Sequence, residues 1–172
     1  MKRSSETYAA RWILAIVVSL IAGACNDRSP AVSGDVDAEF LAKANEVCAA
    51  GVASQESRPP FPLKDFDPEA PDAEDLPIVA AYFDEWADGE QIAKKLSDLG
   101  EPRTGKSTWQ KLITLAENIG ASSRTQISAA QVKDVAAFKL TLEEGVELRE
   151  EIGAVGSSAG FSTNSECAKY YR

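Results

Sequence analysis

Apolar residues recur every three or four positions in four segments of the chain between residues 37 and 153. The first segment predicts a helix from about Asp37, a suitable N-cap, to Ala53. The second predicts a single helix from about Asp75 to Leu99. No segment alternates apolar and polar residues as a half-buried strand does. The chain is therefore expected to fold as an all-α, up-and-down helical bundle of about four helices.

The third helix has a predicted start and two candidate ends. Ser107 and Gln110 have the spacing of a capping box, which places the start at Ser107. Gly120 can end the helix as a C-terminal glycine, or the helix can continue to about Ala130.

The fourth helix has two candidate starts, Ser128 and Asp134, and a predicted end near Gly153. Residues 156–161 are mostly small, so a flexible tail is expected before a last short helix that carries Cys167. The expected apolar stripe of the fourth helix consists of Val135, Phe138, Leu142, Val146 and Ile152.

Residues 54–76 predict a long loop, because they contain five prolines and, from residue 65 onward, six acidic residues. Phe61, Leu63 and Phe66 are expected to pin this loop to the body of the domain. Asp65, Asp67 and Glu69 have the spacing of the first calcium ligands in a helix–loop–helix site. The glycine and the final glutamate of that motif are missing. The three carboxylates therefore remain candidates only for a looser cation site, and a solvated acidic loop is the main expectation.

The beginning of the chain has the layout of a bacterial secretory signal. The basic residues Lys2, Arg3 and Arg11 precede an apolar run from Trp12 to Ala24. About 13 residues suit the apolar region of a signal peptide and are too few to span a bilayer as a stable helix. Residues 1–24 are therefore predicted to be a signal peptide.

The small residues Ala22, Gly23 and Ala24 stand directly before Cys25. This arrangement resembles the lipobox of bacterial lipoproteins, in which the cysteine thiol takes a diacylglyceryl group and begins the mature chain. Ala22 occupies a position where Leu or Val is usual, and the three residues also fit an ordinary secretory cleavage site. The resemblance implies a lipid on Cys25 and a location on the extracytoplasmic face of a bacterial cell membrane. Residues 25–34 then form a tether to one helical domain, residues 35–172.

The cysteine count supports this interpretation. The chain has three cysteines, and exported chains tend to pair their thiols. Lipidation of Cys25 leaves Cys48 and Cys167 for one disulfide, which would close a loop of about 120 residues. In the chain-entropy model, a disulfide that closes a loop of that length raises the free energy of unfolding by roughly 4–5 kcal/mol, as an upper figure. A redox role is disfavoured because the chain has no C-x-x-C motif.

Charge and composition exclude several functions. Without residues 1–24 the chain keeps 15 of its 18 basic and 26 of its 27 acidic residues, a formal charge of −11. Such a surface repels phosphate backbones, so nucleic acid is not an expected partner. The chain has no histidine, and Met1 is its only methionine. Histidine-based catalysis is therefore excluded, and the chain without its leader has no His or Met ligand for haem, copper or a histidine-based zinc site. No cofactor is expected.

One motif suggests a nucleotide site and is rejected on its context. Gly100, Gly105, Lys106 and Ser107 satisfy the phosphate-binding pattern G-x-x-x-x-G-K-[ST]. That pattern needs a buried strand before the loop, whereas an amphipathic helical segment precedes it here. A helix end, a turn and a helix start explain the same residues.

The body of the chain resembles small helical lipoproteins of high-GC Gram-positive bacteria to which no activity is assigned. The residues that carry the resemblance lie near the two ends of the domain: Phe40, Ala44, Asn45, Cys48, Gly160, Phe161 and Cys167. The resemblance implies that a disulfide joins the first helix to the tail, and it implies no chemistry.

The expected function is therefore non-catalytic. A lipid-anchored module that binds an envelope protein or another envelope component is the main hypothesis. The alternatives are a metal-dependent protein that uses the carboxylates of the acidic loop and a carrier of a small ligand. A carrier needs an apolar pocket between the helices, so a fully filled core would exclude it.

Overall fold

The computed structural model describes residues 34–85 and 88–172, which contain six α-helices and no β-strand. All of these residues belong to one compact unit. The predicted all-α helical bundle is therefore confirmed. The helices are α1 (Ala38–Glu56), α2 (Leu76–Glu85), α3 (Gly89–Asp98), α4 (Lys106–Gln131), α5 (Val135–Ala159) and α6 (Glu166–Tyr170).

The two longest helices form the central hairpin of the bundle. At 1.5 Å per residue, α4 and α5 are each nearly 40 Å long, roughly seven turns. A three-residue turn connects them, and its middle residue, Lys133, has a positive φ of 59°. Helices α2 and α3 pack on α4, and α1 packs on α3 and α6.

The buried side chains form two clusters. The larger lies between α1, α3, the first half of α4, the end of α5 and α6, where Phe40 meets Trp109 edge to face with ring centroids 4.8 Å apart. The smaller lies between α2, the end of α4 and the start of α5, around Leu76 and Phe138. Phe61, Leu63 and Phe66 pack against this second cluster, so the structure confirms that they pin the Pro-rich loop to the domain.

The prediction of one helix from Asp75 to Leu99 is wrong, because α2 ends at Glu85 and α3 begins at Gly89. The two helices bury their apolar faces in different clusters, α2 in the smaller one and α3 in the larger one. Gly89, a poor helix former, is the first residue of α3. The start of α3 also approaches α4 closely, since a Cβ on Gly120 would lie 2.8 Å from Cγ of Glu90.

Helix α4 starts one residue earlier than predicted, and the expected capping box is wrong. Its N-cap is Gly105, which has a φ of 72° and makes no side-chain cap, so Ser107 already lies inside the helix. Gly105 packs so closely on the carbonyl of Asp35 that a Cβ would collide with it. At the other end the longer alternative is confirmed, because the helix passes Gly120 without a break.

Helix α5 starts where one of the two alternatives placed it. Asp134 is its N-cap, and the carboxylate accepts a hydrogen bond from the Ala137 amide at 3.0 Å. The predicted end at Gly153 is wrong, because the helix continues to Ala159 and ends at Gly160, which has a φ of 111°. The segment expected to be a flexible tail is therefore mostly the last turn of α5, whose residues Gly156 and Ala159 are buried.

Asp37 caps α1 as predicted and also holds the loop before α4. Its Oδ1 accepts from the Phe40 amide at 3.1 Å, and its Oδ2 accepts from the Arg103 amide at 2.9 Å. The helix extends beyond Ala53 to Glu56.

The predictions for the leader fall outside the described residues. The signal peptide, Cys25 and all of the tether except Gly34 belong to residues 1–33, so they stay predictions. Within the described part of the chain, no helix combines the length and the apolar character that crossing a bilayer requires.

Candidate functional site

The C-terminal segment, residues 161–172, is held to α1 at several points. Cys48 and Cys167 form the predicted disulfide, with their Cα atoms 4.9 Å apart. The Cys167 amide donates to Oδ1 of Asn45 at 3.2 Å, and Nε2 of Gln55 donates to the Tyr170 carbonyl at 3.3 Å. The segment is therefore held firmly against α1.

Tyr170 is the buried aromatic residue of that segment. Its ring lies directly on Gly51 of α1, where a Cβ would collide with it. Its hydroxyl donates to Oδ1 of Asp88 at 2.7 Å. Burial, and then the hydrogen bond to the carboxylate, raise the pKa of Tyr170 well above its usual range. The hydroxyl therefore remains a donor at neutral pH, and the contact ties the C-terminal segment to the start of α3.

A cavity of about 640 Å³ lies between α4, α5 and the C-terminal segment. We call it the apolar cleft. Its volume falls in the range of about 300–1,000 Å³ that is usual for small-molecule sites. The apolar and small residues that line it are Leu96, Trp109, Leu112, Ile113, Ala116, Val146, Ile152, Gly153, Gly156, Phe161, Cys167, Ala168, Tyr170 and Tyr171.

Large residues of α4 and small residues of α5 shape the apolar cleft. Trp109 and Ile113 are almost fully buried, and Nε1 of Trp109 donates to the Gly100 carbonyl at 3.0 Å, which satisfies its polar atom. On α5, a Cβ built on Gly153 would meet no heavy atom within 4 Å. Val146, predicted in the core stripe, lies at the edge of the cleft and is 50% exposed. The missing side chain at Gly153 therefore leaves open space.

Two arginines and one glutamate bring charge to the apolar cleft. Arg149, Glu150 and Arg172 line it and are exposed. Nη1 of Arg149 donates to the Gly145 carbonyl at 3.3 Å, and Nη2 of Arg172 donates to the Thr163 carbonyl. Among the described residues, neither guanidinium makes an ion pair with a carboxylate.

A second cavity of about 700 Å³ adjoins the first and shares Gln55, Arg149, Tyr170 and Tyr171 with it. Its walls carry paired charges: Arg124 with Glu90, and Arg58 with Asp88, whose Nη2 and Oδ1 are 3.6 Å apart. These ion pairs make it the more polar of the two cavities. The apolar cleft is therefore the better site for an apolar molecule.

The structure does not bring the carboxylates of the acidic loop together. Oδ1 of Asp67 accepts from the Glu69 amide at 2.9 Å, so this carboxylate stabilises a local turn. In residues 34–85 and 88–172, no group of three or more Cys, Asp or Glu side chains is placed to hold a metal ion. Asp65, Asp67 and Glu69 are therefore separate side chains of the loop rather than a ligand set.

The segment with the phosphate-binding pattern has the structure of a helix connection. Helix α3 precedes Gly100, as the rejection of the nucleotide site assumed. Nζ of Lys106 lies 2.8 Å from Oε2 of Glu101, and Gly105 packs on the chain at Asp35. Ser107 lies in the first turn of α4. Gly100, Gly105, Lys106 and Ser107 thus connect two helices.

No protein-family model matches the chain, and no curated protein or solved structure matches it either. The apolar cleft is therefore interpreted from its own geometry. Sequence reasoning placed Trp109 and Ile152 on buried faces but missed Arg149, Gly153 and Tyr170 as lining residues. The available signal was the group of glycines on one side of α5, at positions 145, 153 and 156.

Proposed function

We propose that this protein is a lipid-anchored, non-catalytic binding module on the extracytoplasmic face of a bacterial cell membrane, and that it carries a small, mainly apolar ligand. The observation that carries the proposal is the apolar cleft of about 640 Å³. Ligand sites are usually concave and apolar with a few polar groups that fix orientation. Of the hypotheses drawn from the sequence, the cleft favours the small-ligand carrier.

The anchor at Cys25 fits the position of the apolar cleft. The domain begins beside the end of α5, where the Asp35 amide donates to the Ser158 carbonyl at 3.0 Å. Phe161, which follows that end, lines the cleft. Gly34 lies nine positions after Cys25, so the chain between them spans at most about 32 Å when fully extended. A lipid on Cys25 would therefore keep the cleft near the membrane surface.

The ligand proposal predicts that affinity rises with alkyl chain length. Straight-chain alcohols of increasing length would be titrated calorimetrically into the Cys25→Ser protein, which keeps the secretory cleavage site and lacks the lipid. Each methylene that enters the apolar cleft contributes about 0.8 kcal/mol, or roughly fourfold in affinity. We expect this increase to continue until the cleft is filled and then to level off. An absence of saturable binding at every length would refute the proposal.

The anchor proposal predicts a definite mass. The intact mature protein should carry the mass of a diacylglyceryl group on residue 25 and should lack two hydrogens because of the disulfide. Cells fed a labelled fatty acid should incorporate it into the wild-type protein and not into the Cys25→Ser variant. An unlabelled wild-type protein, or one found in the soluble cytosolic fraction, would contradict the anchor.

A further inference from the structure

We infer that the ligand of the apolar cleft is a single-chain amphiphile with a carboxylic acid head group, and that Arg149, assisted by Arg172, binds this head group. The inference rests on the proposed function and names the chemistry of the ligand. The alkyl chain lies among the apolar side chains of α4 and α5, and the carboxylate lies at the charged edge of the cleft.

The charged side chains at the cleft are mainly positive, whereas the whole chain is negative. The chain has a formal charge of −9, whereas the charged residues that line the apolar cleft are two arginines and one glutamate, Glu150. The other arginines that the structure describes, Arg58, Arg103 and Arg124, each pair with a carboxylate of the chain. Arg149 and Arg172 are thus available to a carboxylate that the ligand supplies.

The chemistry of the guanidinium group favours a carboxylate. Its planar set of N–H donors matches the two oxygens of a carboxylate, and such pairs are stronger than bonds between neutral groups. Arg149 uses Nη1 for the long 3.3 Å contact with the Gly145 carbonyl, which leaves its other N–H donors for a ligand. Arg149 lies on α5 four residues before Gly153, and both residues line the apolar cleft.

The test compares an alkanoic acid with the alcohol of equal chain length at pH 8, in the Cys25→Ser background. We expect the acid to bind roughly 1.5- to fivefold more tightly, the range for an exposed charge pair. Arg149→Gln should lower the affinity for the acid more than the affinity for the alcohol and so remove this preference, and Arg149→Lys should restore part of it. Lys95→Gln is the matched control, because Lys95 is exposed, makes no ion pair among the described residues and does not line the cleft.

Each remaining outcome has a separate meaning. If acid and alcohol bind equally and Arg149→Gln changes neither, the inference is wrong and the proposed function stands. If neither compound binds, the proposed function fails together with the inference. A loss of acid binding that is as large in Lys95→Gln as in Arg149→Gln would show a long-range charge effect and would overturn the role of Arg149.

Discussion

Replacement of both Cys48 and Cys167 by alanine should lower the free energy of unfolding by roughly 4 kcal/mol. The two cysteines are 119 positions apart, so the bond restricts a large part of the unfolded chain. Alanine leaves little empty space, because the side chains it replaces are small. The loss is a large share of the total stability of about 5–15 kcal/mol that domains of this kind have.

The same variant should also weaken ligand binding. Without the disulfide, α6 is held to α1 and α3 mainly by the polar contacts of Asn45, Gln55 and Asp88 and by the packing of Tyr170. Since Tyr170 and Tyr171 line the apolar cleft, a looser C-terminal segment opens one of its walls.

Urea denaturation followed by circular dichroism would measure the change in stability, with the ligand titrated in parallel. The single variant Cys25→Ser is the control. It should unfold at the same urea concentration as wild-type protein from which the lipid has been removed. A double cysteine variant that keeps both full stability and full affinity would contradict this prediction. It would show that the disulfide is not needed to hold α6 beside the apolar cleft.

Two substitutions of Gly153 should affect the stability of the protein and its affinity for the ligand in different ways. A Cβ at this position meets no atom within 4 Å, and the residue lies inside a helix. Gly153→Ala should therefore stabilise the protein by up to about 1 kcal/mol, because alanine is the better helix former. Gly153→Trp should keep the fold and should weaken ligand binding at least about 30-fold, because the ring fills the space that an alkyl chain would occupy.

Thermal unfolding and calorimetric titration of the two variants would provide the measurements. Alanine is the matched control, since it changes the backbone preference in the same direction without filling the apolar cleft. If Gly153→Trp binds the amphiphile as tightly as Gly153→Ala does, the ligand lies elsewhere and the cleft is not the site.

Local patterns predicted the helical elements where the determining contacts lie within a few residues. Asp37 was correctly predicted as an N-cap, and Asp134 was one of the two candidate starts of the fourth helix, because a cap acts on an amide three positions away. The capping box predicted at Ser107 was wrong, because a local sequence pattern does not show the contact that sets the start of α4. The start of α4 is set by the close contact of Gly105 with Asp35, which is distant in sequence.

The ends of α2 and α5 also depend on contacts that are distant in sequence. A continuous apolar stripe predicted one helix from Asp75 to Leu99, but that stripe serves two separate clusters and divides between α2 and α3. Gly153 suggested a helix end, yet buried residues beyond it keep α5 in contact with the domain as far as Ala159.

The sequence by itself determined the class of fold and the disulfide partners, and it predicts export and lipidation of the chain. These follow from periodicity, from cysteine parity and from a short apolar leader, all of which are local or countable properties. Only the tertiary structure decided that there is an apolar cleft and that Arg149, Gly153 and Tyr170 line it. The cleft is the space left between α4, α5 and the C-terminal segment, and a space depends on how distant elements pack, which no single segment specifies.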